Sequence, residues 1–277
     1  MVKEIKTFID EHKNNGGYIW KLAVSSARED TQKTTLGMYW NVVRDIIFFI
    51  AYGFFITVVR GSGSASIEGM PRLIYLFTGL VGWYFINDII KTGVKCIVKN
   101  KGVFTKIKFP ILIIPTFETI AIFIKRIMTV VLLCIILLLF VIFTDYRPDI
   151  NIFGVIYALG AAFLFGVAYT LFVSGFYTIS KDFRELYGAI MRIQFYFVPI
   201  FWSVYQDLPA AGLPNWVVTF IANTPFIHVI NSFRRAISLG EFPQLYSIGI
   251  FFIIVLILFC TGCYIQYRLR RIYADFV

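Results

Sequence analysis

Apolar and polar residues alternate along this chain on the scale of whole helices. Long apolar runs, each near the ~20 residues that a bilayer-crossing helix needs, are separated by shorter polar segments. Six runs are predicted to span: about Leu36 to Val59, Leu73 to Ile90, a third strongest at Ile127 to Phe143 with helix beginning near Ile111, Ile152 to Ser180, Tyr187 to Tyr205 with Pro199 inside it, and Leu245 to Tyr264. Two further apolar pieces, Trp216 to Ala222 and Phe226 to Ile237, are too short to cross, and Asn223-Thr224-Pro225 separates them. Proline ends helices, so these pieces read as two short helices that dip into the membrane and return; a solvated outer cap is the alternative. From Tyr18 to Trp40 the pattern is mixed. Tyr18, Leu22 and Ala23 can face lipid while Lys21, Arg28 and Glu29 face water, which suits an interfacial helix leading into the first span.

The expected fold is therefore all-α: an integral membrane protein with six transmembrane helices, an N-terminal interfacial amphipathic helix and two short re-entrant helices between spans five and six. No internal repeat or low-complexity linker divides the chain. It reads as one domain over 1–277, with a cytoplasmic or interfacial segment at 1–35, a basic cytoplasmic loop at 91–109 and an extracellular re-entrant region at 206–244.

Composition sharpens the class. Charged residues make up 15% of the chain, against about 25% in soluble domains, and the mean hydropathy is +0.76. The net charge of +10 does not form a patch for nucleic acid. It is concentrated between the apolar runs, where it sets topology and attracts anionic headgroups. With the N-terminus inside, nineteen of the 26 lysines and arginines fall on the inner side and five outside, with Lys125 and Arg126 left inside the third helix. Both termini are thus predicted to be cytoplasmic, in the plasma membrane.

Reactive chemistry is sparse. Cys260-Thr-Gly-Cys263 has redox or metal spacing, but it lies in an apolar helix with no second ligand pair and reads as small packing residues. His12 and His228 are the two histidines and build no metal site. No GxxxxGK followed by Ser or Thr occurs, so an ATP site is not expected in this chain. No poised carboxylate pair suggests acid–base work; Asp45, Asp88 and Glu118 can each reach an interface. No catalytic residue, metal or cofactor is expected. The fourth span carries small residues at every fourth position, Gly154, Ala158, Ala162, Gly166, Thr170 and Ser174. They form a face for close helix packing, against this chain or a second copy. Lys91, Lys95 and Lys99 also recur every fourth residue, on one face of a short helix that Gly102 ends. Such a helix lies on the membrane or docks on a partner.

Several segments, in order, resemble the permease subunits of type-2 ABC exporters for polysaccharides and teichoic acids. They are Leu36-Gly37-Met38-Tyr39-Trp40, Gly79-Leu80-Val81-Gly82-Trp83-Tyr84-Phe85, Phe109-Pro110 with Ile114-Pro115, Lys181-Asp182-Phe183-Arg184-Glu185-Leu186, and Met191 to Trp202 with its Pro199-Ile200-Phe201-Trp202 end. Thr224-Pro225-Phe226 departs from the usual Asn-Pro-hydrophobic triplet, with Asn223 adjacent, and Arg234 matches the arginine that follows it.

The resemblance implies a homodimer joined to two copies of a separate ATPase, which binds the ATP and magnesium. It implies export of an undecaprenyl-diphosphate-linked polymer, wall teichoic acid or an O-antigen or capsule polysaccharide, and it turns the balance at 91–109 toward ATPase docking. Lys91, Lys95, Lys99 and Phe104 become coupling candidates, with Asp182, Arg184 and Glu185 as a second contact. Trp40, Trp83, Phe195, Tyr196, Phe201, Trp202 and Tyr205 are candidates for an aromatic path on which sugar rings stack. Arg28, Lys33, Arg44 and Arg192 are candidates for the diphosphate, since arginine forms forked bonds to phosphate. Rival readings are a permease for drugs or small lipids, a membrane-integral lipid-linked sugar transferase, and a structural membrane protein.

Overall fold

The computed structural model describes residues 2–32, 37, 39–55, 58, 66–104, 110–270 and 273. Twelve α-helices lie among them, with no strand. They are α1 (Val2–Gln32), α2 (Tyr39–Phe54), α3 (Arg72–Lys91), α4 (Cys96–Lys99), α5 (Lys101–Phe104), α6 (Ile114–Phe143), α7 (Ile152–Ile179), α8 (Lys181–Phe197), α9 (Asp207–Ala210), α10 (Asn215–Ala222), α11 (Pro225–Ser238) and α12 (Leu245–Leu269). Four helical stretches are long and apolar enough to cross a membrane: Arg72–Lys99, Ile111–Phe143, Ile152–Ile179 and Leu245–Leu269. The chain is a membrane protein, and it wears its apolar residues outside. Val131, Ile135, Leu138 and Ile142 of α6 and Ile253, Leu256 and Ile257 of α12 are exposed.

Local chemistry sets the boundaries. Asn151 caps α7 by accepting from the Gly154 amide at 3.0 Å, and Ser180 caps α8 by accepting from Phe183 at 3.1 Å. Pro115 and Pro225 occupy first-turn positions of α6 and α11, where a missing N–H costs nothing. The expected fifth span, Tyr187 to Tyr205, is different in the structure. Its helix starts at Lys181 and stops at Phe197, and Val198 is extended (φ −85°, ψ 132°). The ring of Pro199 disfavours helical backbone at the residue before it. The first expected span appears as the 16 residues of α2; Leu36 and Val59 lie outside the described residues.

The centre of the fold is α11 packed between α3 and α7, with α6 also packed against α3. Every residue of α3 from Ile74 to Ile86 is buried, so its helix has no polar face. The small-residue face of α7 serves this chain. A methyl at Gly154 would meet the Ala236 side chain of α11, and one at Gly166 would meet Ile89 and Thr119 at 2.8 and 3.0 Å. Thr170 meets Gly93, and Ser174 accepts from the Gln266 amide of α12 at 2.7 Å. Gly262 lets α12 approach within 2.8 Å, from its would-be Cβ, of the Phe172 amide. The neighbours of the face are thus α3, α6, α11 and α12 of the same chain.

The two short apolar pieces form α10 and α11, joined by Asn223 and Thr224. Phe226, at the start of α11, packs edge-on against Phe165 and Tyr169 at 5.0 and 5.7 Å. At its other end, the Ser238 carbonyl accepts from the Tyr146 hydroxyl at 2.9 Å. Thus α11 runs alongside α7, from the level of Phe165 back toward the start of α7. At 1.5 Å per residue that is about 20 Å of depth.

Arg234 pins this helix in place. It is fully buried. Its Nε donates to the Tyr75 carbonyl at 3.2 Å, Nη1 to Asn231 at 3.1 Å and Nη2 to the Pro199 carbonyl at 2.8 Å. The guanidinium lies 3.5 Å from the centre of the Tyr75 ring. Gly79 leaves the space: a Cβ there would run into Nη2 and lie 3.2 Å from Cζ.

The N-terminal helix lies against protein more than expected. Ala23, assigned to lipid from the sequence, is fully buried with Ile19 in a cluster that includes Ile113, Ile114 and Phe117. Tyr18 and Trp20 remain exposed. The helix kinks at Asn15 (φ −121°, ψ 18°), directly before Gly16-Gly17. Below the kink, His12 Nδ1 lies 2.8 Å from the Phe8 carbonyl and Nε2 lies 2.8 Å from Thr116 Oγ1. A carbonyl only accepts, so Nδ1 carries the proton and Nε2 accepts from Thr116.

Two outcomes follow from this packing. Gly79→Ala displaces the Arg234 guanidinium and lowers stability by about 1–3 kcal/mol, read as loss of thermal stability in detergent. Burial lowers the His12 pKa from its usual value, so the fold favours the neutral ring. Docking of α1 is intact above about pH 6.5 and weakens as pH falls below that value toward the folded pKa. Hydrogen exchange of α1 against pH detects this, and His12→Phe removes the step.

Candidate functional site

A cavity of about 650 Å³ opens between α2, α3, α6 and α8. Trp83, Tyr84 and Tyr52 give it an aromatic wall, and Arg44, Lys91 and Arg192 bring positive charge to it. Trp83 and Tyr84 are buried. Each element contributes by spacing. Arg44 and Asp45 come from the first turns of α2, Trp83, Tyr84, Asp88 and Lys91 from the last turns of α3, and Gly188, Met191 and Arg192 from α8.

The floor is a closed ionic triad. Arg126 of α6 donates from Nε to Asp88 at 2.7 Å and from Nη1 to both oxygens of Asp45 at 3.2 Å. Thr129 donates to Asp45 at 2.5 Å. The guanidinium also stands 4.9 Å from the centre of the Tyr84 ring. A planar fork can serve two carboxylates at once, and the triad ties α2, α3 and α6 together. The charge on Arg126 is therefore spent internally. Arg44, Lys91 and Arg192 differ: among the described residues none has a carboxylate partner. Arg44 bonds the Asn41 side chain and the Trp40 carbonyl, both neutral. The Tyr84 hydroxyl is buried and has no hydrogen-bond partner among the described residues.

Three of the candidates, Trp83, Arg44 and Arg192, thus meet in one place with Lys91. Trp40, Tyr196, Phe201, Trp202 and Tyr205 do not line this cavity. Phe201 packs on Tyr52 at 4.7 Å, but Phe201 and Trp202 also line a second cavity of about 490 Å³ with Arg72 and Asp207. Tyr205 lines a third, of about 290 Å³, with His228, Asn231 and Phe242. Trp40 and Tyr196 are exposed. Arg28 lies on the outer face of α1 beside Trp20 and Lys21. Lys33 and the side chains of Phe104 and Phe195 fall outside the described residues. Sequence reasoning missed Asp45, Asp88, Arg126 and Tyr84. The available signal was an arginine inside an otherwise apolar run, which demands a partner in a membrane.

The coupling candidates are also distributed differently from expectation. Lys91, Lys95 and Lys99 do not share one regular helix. Between α3 and α4 the chain makes a 3₁₀ turn at Gly93–Lys95; Asn100 rather than Gly102 terminates α4, and Gly102 lies within α5. Lys91, Lys95 and Lys99 are all exposed, but the Lys99 ammonium is engaged: it donates to Ser26 at 2.8 Å and pairs with Glu118 at 3.2 Å. Arg184 folds back to cap α7, donating to the carbonyls of Tyr177 and Thr178. Asp182 and Glu185 remain exposed on the first turn of α8.

No family model matches the chain. Over 201 residues, 72% of its length and 72% of the relative's, it is 19% identical to the O-antigen export system permease protein RfbA of Myxococcus xanthus. The chain is similar to an export permease. The triad, with the guanidinium shared between two carboxylates, holds α2, α3 and α6 together at the cavity wall. Replacing Arg126 with Leu leaves Asp45 and Asp88 facing each other without a cation. Removing one member of a buried charge network costs roughly 3–5 kcal/mol, so Arg126→Leu should lose the folded protein, while Asp45→Asn, which keeps a neutral acceptor for Arg126, should retain it. Size-exclusion profiles and thermal melts in detergent check both.

Proposed function

We propose that this chain is the membrane-spanning subunit of an ATP-driven exporter for a lipid-linked cell-envelope polymer. The observation that carries the reading is the cavity: three cations with no carboxylate partner, an aromatic wall and a tyrosine hydroxyl with no hydrogen-bond partner, among the described residues, converge beside the end of α3. The similarity to an O-antigen export permease supports it.

The proposed ligand is an undecaprenyl-diphosphate-linked glycan of the O-antigen or capsule kind, or a wall teichoic acid. Arg44 and Arg192 offer forks to phosphate oxygens, and Lys91 adds a point charge. The first sugars lie on Trp83, Tyr84 and Tyr52, whose faces accept any ring without a fixed pattern of hydroxyls. In this reading α2 and α8 complete a set of six spans, α10 and α11 are re-entrant, and both termini are cytoplasmic in the plasma membrane. A second copy of the chain closes the polymer path and gathers the remaining aromatics toward it. A separate ATPase, present twice, docks at Lys91, Lys95 and the Asp182–Glu185 turn. No ATP site is assigned to this chain; its part is to bind, orient and admit.

The test is polymer-stimulated ATP turnover by the assembled complex in lipid. Losing one charge-assisted fork costs about 1.5–3 kcal/mol, so Arg192→Ala and Arg44→Ala should each weaken apparent polymer affinity by about tenfold or more. The complex should stay folded, and Arg192→Lys should restore part of the loss. Turnover indifferent to the polymer, or unchanged in both alanine variants, overturns the reading.

A further inference from the structure

Beneath the cavity, one buried carboxylate joins three segments that are far apart in sequence. Glu118, in the first turns of α6, is 4% exposed. Its oxygens accept from Ser26 of α1 at 3.0 Å, from Asn100 at 2.8 Å and from Lys99 at 3.2 Å. Lys99 also donates to Ser26 at 2.8 Å, which closes a ring of contacts. Asn100 ends α4 and bonds back to the Cys96 carbonyl at 2.9 Å. The packing around the ring is tight: Val94, Cys96, Ile97 and Ala23 are all fully buried. Residues 92–100 of the basic segment are thus seated on α6, and α1 is fastened to the same carboxylate.

We propose that Glu118 is the positioning residue that makes α1, the basic segment and α6 move as one. A load applied to the exposed side of that segment, at Lys91 and Lys95, is delivered through Glu118 to α6, and so to the Arg126 triad two turns further along the same helix. Lys99 is exposed along its length but its ammonium is held by Glu118 and Ser26, so in this assignment it belongs to the transmission. The inference deepens the exporter reading and, for its coupling part, rests on it. The mechanical part stands on this chain alone.

Two measurements separate them. The first is hydrogen exchange of the purified chain in lipid nanodiscs. Glu118→Gln removes the charge that holds Lys99 while keeping an acceptor of the same shape. Exchange should rise together in 92–100 and in 20–27, by about tenfold, with α7 and α12 unchanged. Lys99→Met should reproduce it, and the double variant should add nothing. Loosening of one segment alone, or of neither, overturns the proposal whatever the partner does. The second is made on the complex with the ATPase. Glu118→Gln should leave the ATPase bound and its basal turnover intact, and should reduce polymer export per ATP by about tenfold. Equal export per ATP overturns the coupling role. Failure of the unaltered chain to retain any ATPase counts against the exporter reading and leaves the exchange result to decide the mechanical one.

Discussion

Every backbone polar group buried in a protein must find a partner there, and Arg234 is where this fold meets that demand. Proline 199 ends α8 early and frees carbonyls that a continuous helix would have used. One of them, on Pro199 itself, accepts from Arg234. The same guanidinium reaches the Tyr75 carbonyl of α3 and its own helix at Asn231. Burying an arginine is expensive unless its donors are satisfied. Here satisfaction requires α3, α11 and the turn after α8 to be assembled at once. That makes the short helix α11 a fixed part of the core despite its 14 residues.

The charged groups of the molecule divide into those that close on each other and those left open. Arg126 with Asp45 and Asp88, and Glu118 with Lys99, are mutually paired, with Arg126, Asp45 and Glu118 buried. They position helices. Arg44, Lys91 and Arg192 border a cavity that Asp45 and Asp88 also line, and among the described residues these three have no carboxylate partner. The two sets adjoin. Asp45 neighbours Arg44 in α2, so the triad that holds α2 also sets where Arg44 stands. Recognition and architecture share a helix turn, and a ligand at the cavity would bear on the triad directly.

The candidate site was legible in part. Trp83, Arg44 and Arg192 were candidates through the family resemblance, as a ring on which sugars stack and as forks for phosphate. Nothing in the spacing said that they would converge, since they come from three separate helices. Tyr84 was hidden as one more aromatic in a run of them. Arg126 was visible as a charge in an apolar run, but its partners, 81 and 38 residues away, were not. Lys99 was misplaced because a four-residue period takes one continuous helix for granted, and Gly93 breaks that helix with a 3₁₀ turn.

By itself, the sequence determined the class of the molecule and the approximate extents of three of its apolar helices. Length and hydropathy of a run are local properties, and Ile114–Phe143, Ile152–Ile179 and Leu245–Leu269 follow from them. It also marked a close-packing face on α7, because small residues at every fourth position can serve little else. Tertiary structure decided what that face packs against, where α8 stops sharing the core, and which charges are spent on one another. Those are decisions about pairs of groups distant along the chain. A hydropathy pattern records how each residue feels toward lipid, and it carries no term for which partner a buried charge will find.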